Sequence, residues 1–346
     1  MNNKIRFIIL LIIPFLIVLS SFIIDSEKKP EGKFIGEMKG EFISPFGYVY
    51  SLTYQNDDID AKLSRKEKKF IDEQYKRHRI IYISSDELSK KPHKTITSLI
   101  NKGMIVKERV SFHILGTDHR GRDLLGGLII ATRKNLSLSL IAVLFSVSLG
   151  TLIGILQGYL LNRDTPSYYQ KIRSIISFFT NSITSIPMLV WLLICVLFVE
   201  LILEVRDDYI RTVWTFILMG SVYYSMILSQ TIESHIVSLK ELEFLSASEL
   251  MGLSKLQIIV NHIIRTNLAP LLFSQSLLII IQTIMLEITI SFKYIGFGLV
   301  NNLSYGTLVN GMFMPQSGNM MIPIIFAGLF CTILNSIISN FQKMNA

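Results

Sequence analysis

Apolar residues fall in long blocks along this chain, not in alternation. Crossing a bilayer takes about 20 mostly apolar residues in a helix. Six stretches meet that length: residues 5–24, 136–161, 175–203, 212–230, 268–290 and 320–338. Residues 7–24 carry no charge over 18 positions, longer than the roughly 7–15-residue apolar core of a cleaved signal. The first stretch is therefore expected to be a retained anchor. The second contains Ser146, Ser148, Gly150, Gly154 and Gly158, small residues that let helices approach closely in lipid. They read as helix packing. The pattern predicts an all-α integral membrane protein with six transmembrane helices.

The pattern changes between the first two spans. Residues 61–80 read as a charged helix with a thin apolar stripe of Leu63, Phe70, Ile71 and Tyr75, and IIYIS near residue 80 is strand-like. Residues 26–112 are thus an inserted segment with local order. The expected organisation is a transmembrane anchor at 1–25, an extracytoplasmic insertion at 26–112, and a transmembrane domain at 113–340 that carries a cytoplasmic loop at 241–267.

Charge sharpens this division. Only 17% of the 346 residues are charged, against roughly 25% in soluble domains. More than half of the 60 charges (34 basic, 26 acidic) lie between Asp25 and Arg109. A soluble enzyme, a disordered chain and a disulfide scaffold are excluded. The net charge of +8 is dispersed, without the basic face and stacking aromatics of a nucleic-acid binder. Cys195 and Cys331 sit in apolar runs and form no framework. With the N-terminus inside, the inner segments hold Lys4, Arg6, Arg163, Lys171, Arg173, Lys240, Lys255, Arg265 and Lys343. The short outer loops hold only Arg206, Arg211 and Lys293. The positive-inside rule then predicts both termini in the cytoplasm, and the long insertion escapes that rule because long loops translocate regardless of charge.

Two motifs carry the functional reading. Residues 113–123 read HILGTDHRGRD. Gly116 and Gly121 can adopt backbone angles closed to other residues. Asp118 is placed to cap the helix that follows, and Arg122 and Asp123 are suited to ion pairs. The stretch 124–134 is expected to be amphipathic and interfacial. His113, Asp118, His119 and Asp123 offer metal-donor types, but their spacing matches no zinc pattern, so capping and pairing are preferred and no metal is expected. Residues 241–270 read ELEFLSASELMGLSKLQIIVNHIIRTNLAP. This predicts a helix over 241–251, a left-handed stop at Gly252, and a second helix started by a Ser254–Gln257 capping box. Leu256, Ile259, Val260, Ile263 and Ile264 form its apolar face.

The first string, with Arg133, Ser137 and Gly158-Tyr159, resembles the C-type permease subunit of bacterial oligopeptide/dipeptide ABC importers, whose pattern is HPLGTDxxGRD ahead of a span ending in GY. Here Ile114 replaces the proline. His113, Gly116, Thr117, Asp118, Gly121, Arg122 and Asp123 carry that signature. The second string resembles the ATPase-coupling loop of such permeases, with Glu243, Phe244, Ala247, Ser248, Gly252, Ser254 and His262 in register. The likeness covers about residues 113–310. It departs at Arg265-Thr266, where the family has Pro-Asn, and at Tyr305-Gly306, where it has Trp-Gly. The resemblance implies a MetI-like core of five spans plus the anchor, in the bacterial cytoplasmic (inner) membrane. It implies a second homologous permease subunit, two ABC ATPase subunits that hold the ATP and Mg, and an extracytoplasmic solute-binding protein. No cofactor or nucleic acid is implied for this chain, and membrane lipid surrounds it. The implied cargo is a short peptide, with nickel chelates, glutathione or antimicrobial peptides as alternatives. An intramembrane protease would need paired Asp, Ser–His or HExxH within spans, and a sensor would not need the helix–Gly–helix loop. Asn181, Gln282 and Glu287 are the polar residues expected along a translocation path. For Glu287 a buried site and an interfacial site remain open.

Overall fold

The computed structural model describes residues 10–12, 14, 16–17, 19–20, 33–34, 47–54, 66, 69, 80–84, 98–100, 105–117, 123–161, 167–240, 248, 251–292, 303–311 and 321–345. They fall into two compact units. One comprises Val18–Ala131 and Leu308–Phe326; the other comprises Met1–Ile17, Thr132–Thr307 and Ala327–Ala346. The described residues between 10 and 20 are helical, and the remainder of the 1–25 anchor lies outside the described set. Of the charged helix expected at 61–80, only Lys66 and Lys69 are described before residue 80, and both are helical and exposed.

The first unit holds a four-stranded sheet in the order β1-β3-β2-β4. The strands are β1 (Lys33–Phe34), β2 (Gly47–Tyr54), β3 (Ile80–Ser84) and β4 (Ile105–His113). β3 is the IIYIS segment. β2 pairs antiparallel with β3 and with β4, from Gly47 opposite His113 to Tyr54 opposite Ile105, with an irregularity at Val49/Tyr50. The insertion thus adds a small sheet to a chain whose membrane part is helical.

Helix α1 (Leu124–Ile155) runs on through π-wound turns at Leu156–Leu160. α2 (Ser167–Thr184) and α3 (Met188–Leu201) follow. Next come α4 (Asp208–Leu218), π turns at Met219–Tyr224, and α5 (Ser225–Lys240). A short α6 (Lys255–Gln257) leads into a π-helix at Ile258–Leu268 and then α7 (Ala269–Phe292). α8 (Tyr305–Gly311) and α9 (Ile322–Asn345) complete the described chain. Among the described residues four helical stretches are long and apolar enough to span: Leu124–Leu160, Asp208–Leu239, Lys255–Ser291 and Ile322–Met344. The pair Tyr168–Thr184 and Met188–Leu201 meets the same test only when its two bent halves are taken together.

Three expectations change here. The stretch 124–134 is no amphipathic surface helix: Leu124, Leu128, Ile130, Ala131 and Thr132 are all buried, and it is the first part of the span. The spans of α1, α4–α5 and α7 exceed the predicted lengths, because the helices continue past their apolar cores. The third change is at 175–203, predicted as one run and broken by a 96° bend. Pro187 supplies no N–H and disfavours a helical residue before it. Ser185 donates its hydroxyl to the Asn181 carbonyl at 2.6 Å, and Trp191 Nε1 donates to the Ile183 carbonyl at 2.8 Å, fastening the corner.

The membrane unit packs around two apolar clusters. The first joins Leu138 and Ala142 of α1, Leu192 and Cys195 of α3, Phe216 of α4, and Ile279, Leu286 and Ile290 of α7. The second joins Ile155, Tyr159, Leu228, Ile232, Ile236, Ile258, Ile263 and Leu268. In lipid, association rests on close packing, since the tails are as apolar as leucine. The glycines of α1 supply it. A Cβ at Gly154 would lie 2.7 Å from Ile232 Cβ and Cγ2, one at Gly150 3.0 Å from Leu228 Cβ, and one at Gly158 3.0 Å from Ile236 Cβ. The residues repeat every four positions on both helices, so one seam runs along both. Gly154→Ala is expected to destabilise the unit by roughly 1–3 kcal/mol through overpacking, and Gly154→Leu to prevent assembly. Thermal unfolding in detergent checks both; an unchanged midpoint for Gly154→Leu would contradict the seam.

Polarity is inverted on α2. Tyr168, Ile175, Phe178 and Phe179 are exposed, while the polar face turns toward α5 and the end of α1. Arg173 pairs with Glu233 at 2.7 Å, and Gln157 Nε2 donates to Ser177 Oγ at 3.1 Å. A helix with its apolar side outward suits a lipid surround.

Candidate functional site

The first candidate is the corner at Gly252. Ser248 is helical and buried, whereas Glu243, Phe244 and Ala247 lie outside the described residues. Gly252 has φ of +79°, the left-handed conformation that side chains resist. Leu253 N–H donates to the Ser248 carbonyl at 3.3 Å, the six-to-one bond of a Schellman stop. Leu253 packs on the second apolar cluster. The next helix starts at once. Ser254 Oγ accepts from Gln257 N–H at 3.3 Å, and Gln257 Oε1 accepts from Ser254 N–H at 2.9 Å. Stop and start are thus separated by a single residue, and the chain turns without slack.

The return segment differs from the prediction. Over Ile258–Leu268 it is wound as a π-helix. Thr266 Oγ1 donates to the Asn261 carbonyl at 2.8 Å and Asn267 Nδ2 to the His262 carbonyl at 2.6 Å, each reaching back five residues. Ile258, Ile263 and Leu268, also five apart, are fully buried. Leu256, just before the π winding, and Val260, within it, were expected on the apolar inner face and are exposed instead. Met251 and Leu256 are 73% and 72% exposed, so the corner presents apolar side chains outward. Among the described residues nothing lies within 4 Å of a Cβ built at Gly252. His262 is half-buried on the return segment.

The 113–123 signature forms a clasp within its own unit. His113 Nδ1 lies 2.8 Å from Asp123 Oδ1. Gly116 has φ of +79°, its carbonyl accepts from Leu124 N–H at 3.0 Å, and buried Thr117 bridges to Asp123. The helix cap expected of Asp118 belongs to Asp123, whose Oδ2 accepts from Gly126 N–H at 2.7 Å. Asp118, His119, Gly121 and Arg122 lie outside the described residues. Among the described residues no group of three His, Cys, Asp or Glu side chains is placed to hold a metal.

The second candidate is Glu287, which is fully buried; its interfacial alternative is set aside. Oε2 accepts from Asn135 Nδ2 at 2.7 Å and from Gly306 N–H at 3.1 Å. Oε1 accepts from Ser291 Oγ at 2.7 Å and from Ser304 Oγ at 2.6 Å. Four donors fill the four lone-pair positions of a carboxylate. The knot ties α1, α7 and the start of α8 together, and Tyr305 hydrogen-bonds Thr132 beside it. Gly306 is required, since a Cβ there would meet Glu287 and Ser291. Among the described residues Glu287 is fully buried and joins the helices it bonds. Asn135, Thr132 and Ser304 were not singled out by the sequence reading. The signal available for Asn135 was an amide beside Arg133-Lys134 at the head of an apolar run.

Asn181 and Gln282 are exposed. Asn181 is joined by Gln230 of α5, whose Nε2 donates to Asn181 Oδ1 at 2.9 Å and to Thr184 Oγ1 at 3.1 Å. The structure thus brings Asn181 to a partner the sequence reading missed, and leaves Gln282 on the exposed side of α7.

These features match a known pattern. The family described as "Binding-protein-dependent transport system inner membrane component" matches residues 150–345, more than half of the chain. The chain belongs to this family. It is a multi-pass membrane component of a transport system, and the family is not one of enzymes. Among similar proteins is the oligopeptide transport system permease protein OppC of Lactococcus lactis subsp. cremoris (strain SK11), 26% identical over 206 residues, 59% of this chain and 63% of that one. The OppC of Haemophilus influenzae is 29% identical over 153 residues, 44% of this chain and 43% of that one. The dipeptide transport system permease protein DppC of Alkalihalophilus pseudofirmus is 26% identical over 165 residues, 48% of each chain. The chain thus spans less than two thirds of the length of these relatives. Solved inward-facing forms of the MetNI methionine ABC transporter align over 63% of this component and 96% of that chain, at 16% identity and a TM-score of 0.47.

Proposed function

We propose that this family member is the permease subunit of an ABC importer for short peptides. It makes and breaks no bond. It works with a second homologous permease subunit, two ATPase subunits and an extracytoplasmic solute-binding protein, and the nucleotide and its Mg²⁺ sit on the ATPase subunits. Both termini are cytoplasmic, which puts the Gly252 corner on the ATPase side. The observation that carries the reading is that corner: a Schellman stop at Gly252 abutting the Ser254 capping box, with Met251 and Leu256 turned outward. A rigid apolar knob on a membrane component suits docking into a cleft. Closure of the ATPase dimer moves the knob, and the apolar cluster beneath it, which holds Leu253, Ile258 and Ile236, passes the motion to α1 and α5. Transmission requires the ATPase's two states to differ in affinity for the knob.

The peptide cargo is supported by the oligopeptide and dipeptide systems of the relatives. The test is ATP-dependent uptake of labelled di- to hexapeptides by the assembled complex in proteoliposomes with its binding protein. Saturable peptide uptake that stops when this subunit is omitted is expected. Uptake of a nickel chelate or glutathione with no peptide uptake would replace the cargo assignment.

A further inference from the structure

The Asn181–Gln230 pair has a chemistry of its own. Both hydrogens of the Gln230 amide are engaged, one by Asn181 Oδ1 at 2.9 Å and one by Thr184 Oγ1 at 3.1 Å. That leaves Gln230 Oε1 and Asn181 Nδ2 without a partner among the described residues. Exchanging oxygen and nitrogen in both amides preserves the outcome, because one side chain still presents a free carbonyl and the other a free NH₂. The pair therefore offers one acceptor beside one donor, both neutral.

Its depth makes this costly in lipid. The Asp208–Leu239 span is 32 residues, roughly 48 Å, against a hydrocarbon core of about 30 Å. Gln230 lies nine residues from the Leu239 end, about 14 Å along the axis, so a centred span puts it inside the core. Polar groups at that depth face a protein or a water-filled cavity. A neighbouring membrane helix has its main-chain groups bonded internally and offers this pair nothing from its backbone. An extended peptide carries unsatisfied N–H and C=O groups side by side, the complement of the pair. A metal chelate would call for charged or imidazole groups, which the pair lacks.

We infer that Asn181 and Gln230 form a translocation subsite that grips the main chain of a passing peptide, Gln230 accepting from a peptide N–H and Asn181 donating to a peptide carbonyl, without regard to side chains. This rests on the peptide-importer reading and deepens it. The test compares trialanine with its analogue N-methylated at the central amide. Maximal uptake is measured with the assembled complex at concentrations that saturate the binding protein for each peptide. The wild-type complex is expected to favour trialanine roughly tenfold, since methylation removes the donor and leaves the Gln230 carbonyl unpaired. In Asn181→Leu/Gln230→Met the preference falls below about twofold while the partner subunits still co-purify. An unchanged preference overturns the inference, and so does loss of co-purification, which would make the pair a contact between subunits. If the double variant does not reach the membrane, Gln230→Met alone, which removes the acceptor for the peptide N–H, reads the same ratio. Wild-type complex that takes up neither peptide refutes the importer reading itself, and the subsite with it.

Discussion

Glu287→Ala is expected to lower the thermal midpoint of the purified subunit by roughly 10–20 °C, at about 2–4 °C per kcal/mol for a unit of this size. The carboxylate is fully buried and accepts four hydrogen bonds. Ser291 and Ser304 can turn their hydroxyls to other acceptors. The Asn135 amide and the Gly306 N–H are fixed. Each buried donor left unmade costs about 1–3 kcal/mol, and the lost side-chain volume adds a cavity term. The sum, on the order of 3–6 kcal/mol, is a large fraction of the roughly 5–15 kcal/mol that holds an ordinary domain. Glu287→Gln is expected to lose less than half as much, because its NH₂ can take the Oε1 position and donate to the two serine hydroxyls. Thermal unfolding followed by intrinsic fluorescence in detergent checks both variants. An alanine variant as stable as the parent would mean that the knot does not hold α1, α7 and α8 together.

The second large effect falls on function and leaves stability nearly untouched. In the Gly252→Val variant, peptide uptake by the assembled complex is expected to fall at least tenfold, with membrane insertion unchanged. The left-handed conformation costs a residue with a Cβ about 1–2 kcal/mol, and a β-branched residue tolerates it worst. The corner is expected to escape that cost by opening, which tilts the knob away from the docking angle proposed for it. A Cβ there meets no neighbour among the described residues, so the expected effect is conformational. Asparagine adopts positive φ more readily than other side chains, and Gly252→Asn is expected to keep most of the uptake. Uptake by Gly252→Val at the parental rate would remove the corner from the mechanism.

Local signals were legible in the sequence wherever the structure is local. Gly252, Ser254 and Gln257 lie within six residues of one another, so stop and start could be read directly. Gly150, Gly154 and Gly158 announced close packing, although only the structure names Leu228, Ile232 and Ile236 as the residues they admit. Glu287 was ambiguous because its fixed donors are remote, Asn135 by 152 positions and Gly306 by 19. The bend at Pro187 was marked by the proline and by the polar stretch 180–185 before it, but the apolar residues on both sides led 175–203 to be read as one span. The π winding of 258–268 left no mark, since a segment rich in isoleucine fits an α-helix equally well. Val260, within that winding, is exposed. Two aspartates five positions apart competed for one helix cap, and Asp123 took it because the helix starts at Leu124.

The central claim is that the bent segment at Gly252 is gripped by a nucleotide-hydrolysing partner. Cys195 and Cys331 are buried, so a cysteine introduced at Leu256 is the reactive one among the described residues. The decisive measurement is cross-linking of Leu256→Cys in the assembled complex, with Leu152→Cys, 64% exposed on α1, as the control. The account predicts that Leu256→Cys captures the ATPase subunit, with a yield that changes when nucleotide is added, and that Leu152→Cys does not. A complex that co-purifies intact yet gives no ATPase adduct at Leu256 would contradict it.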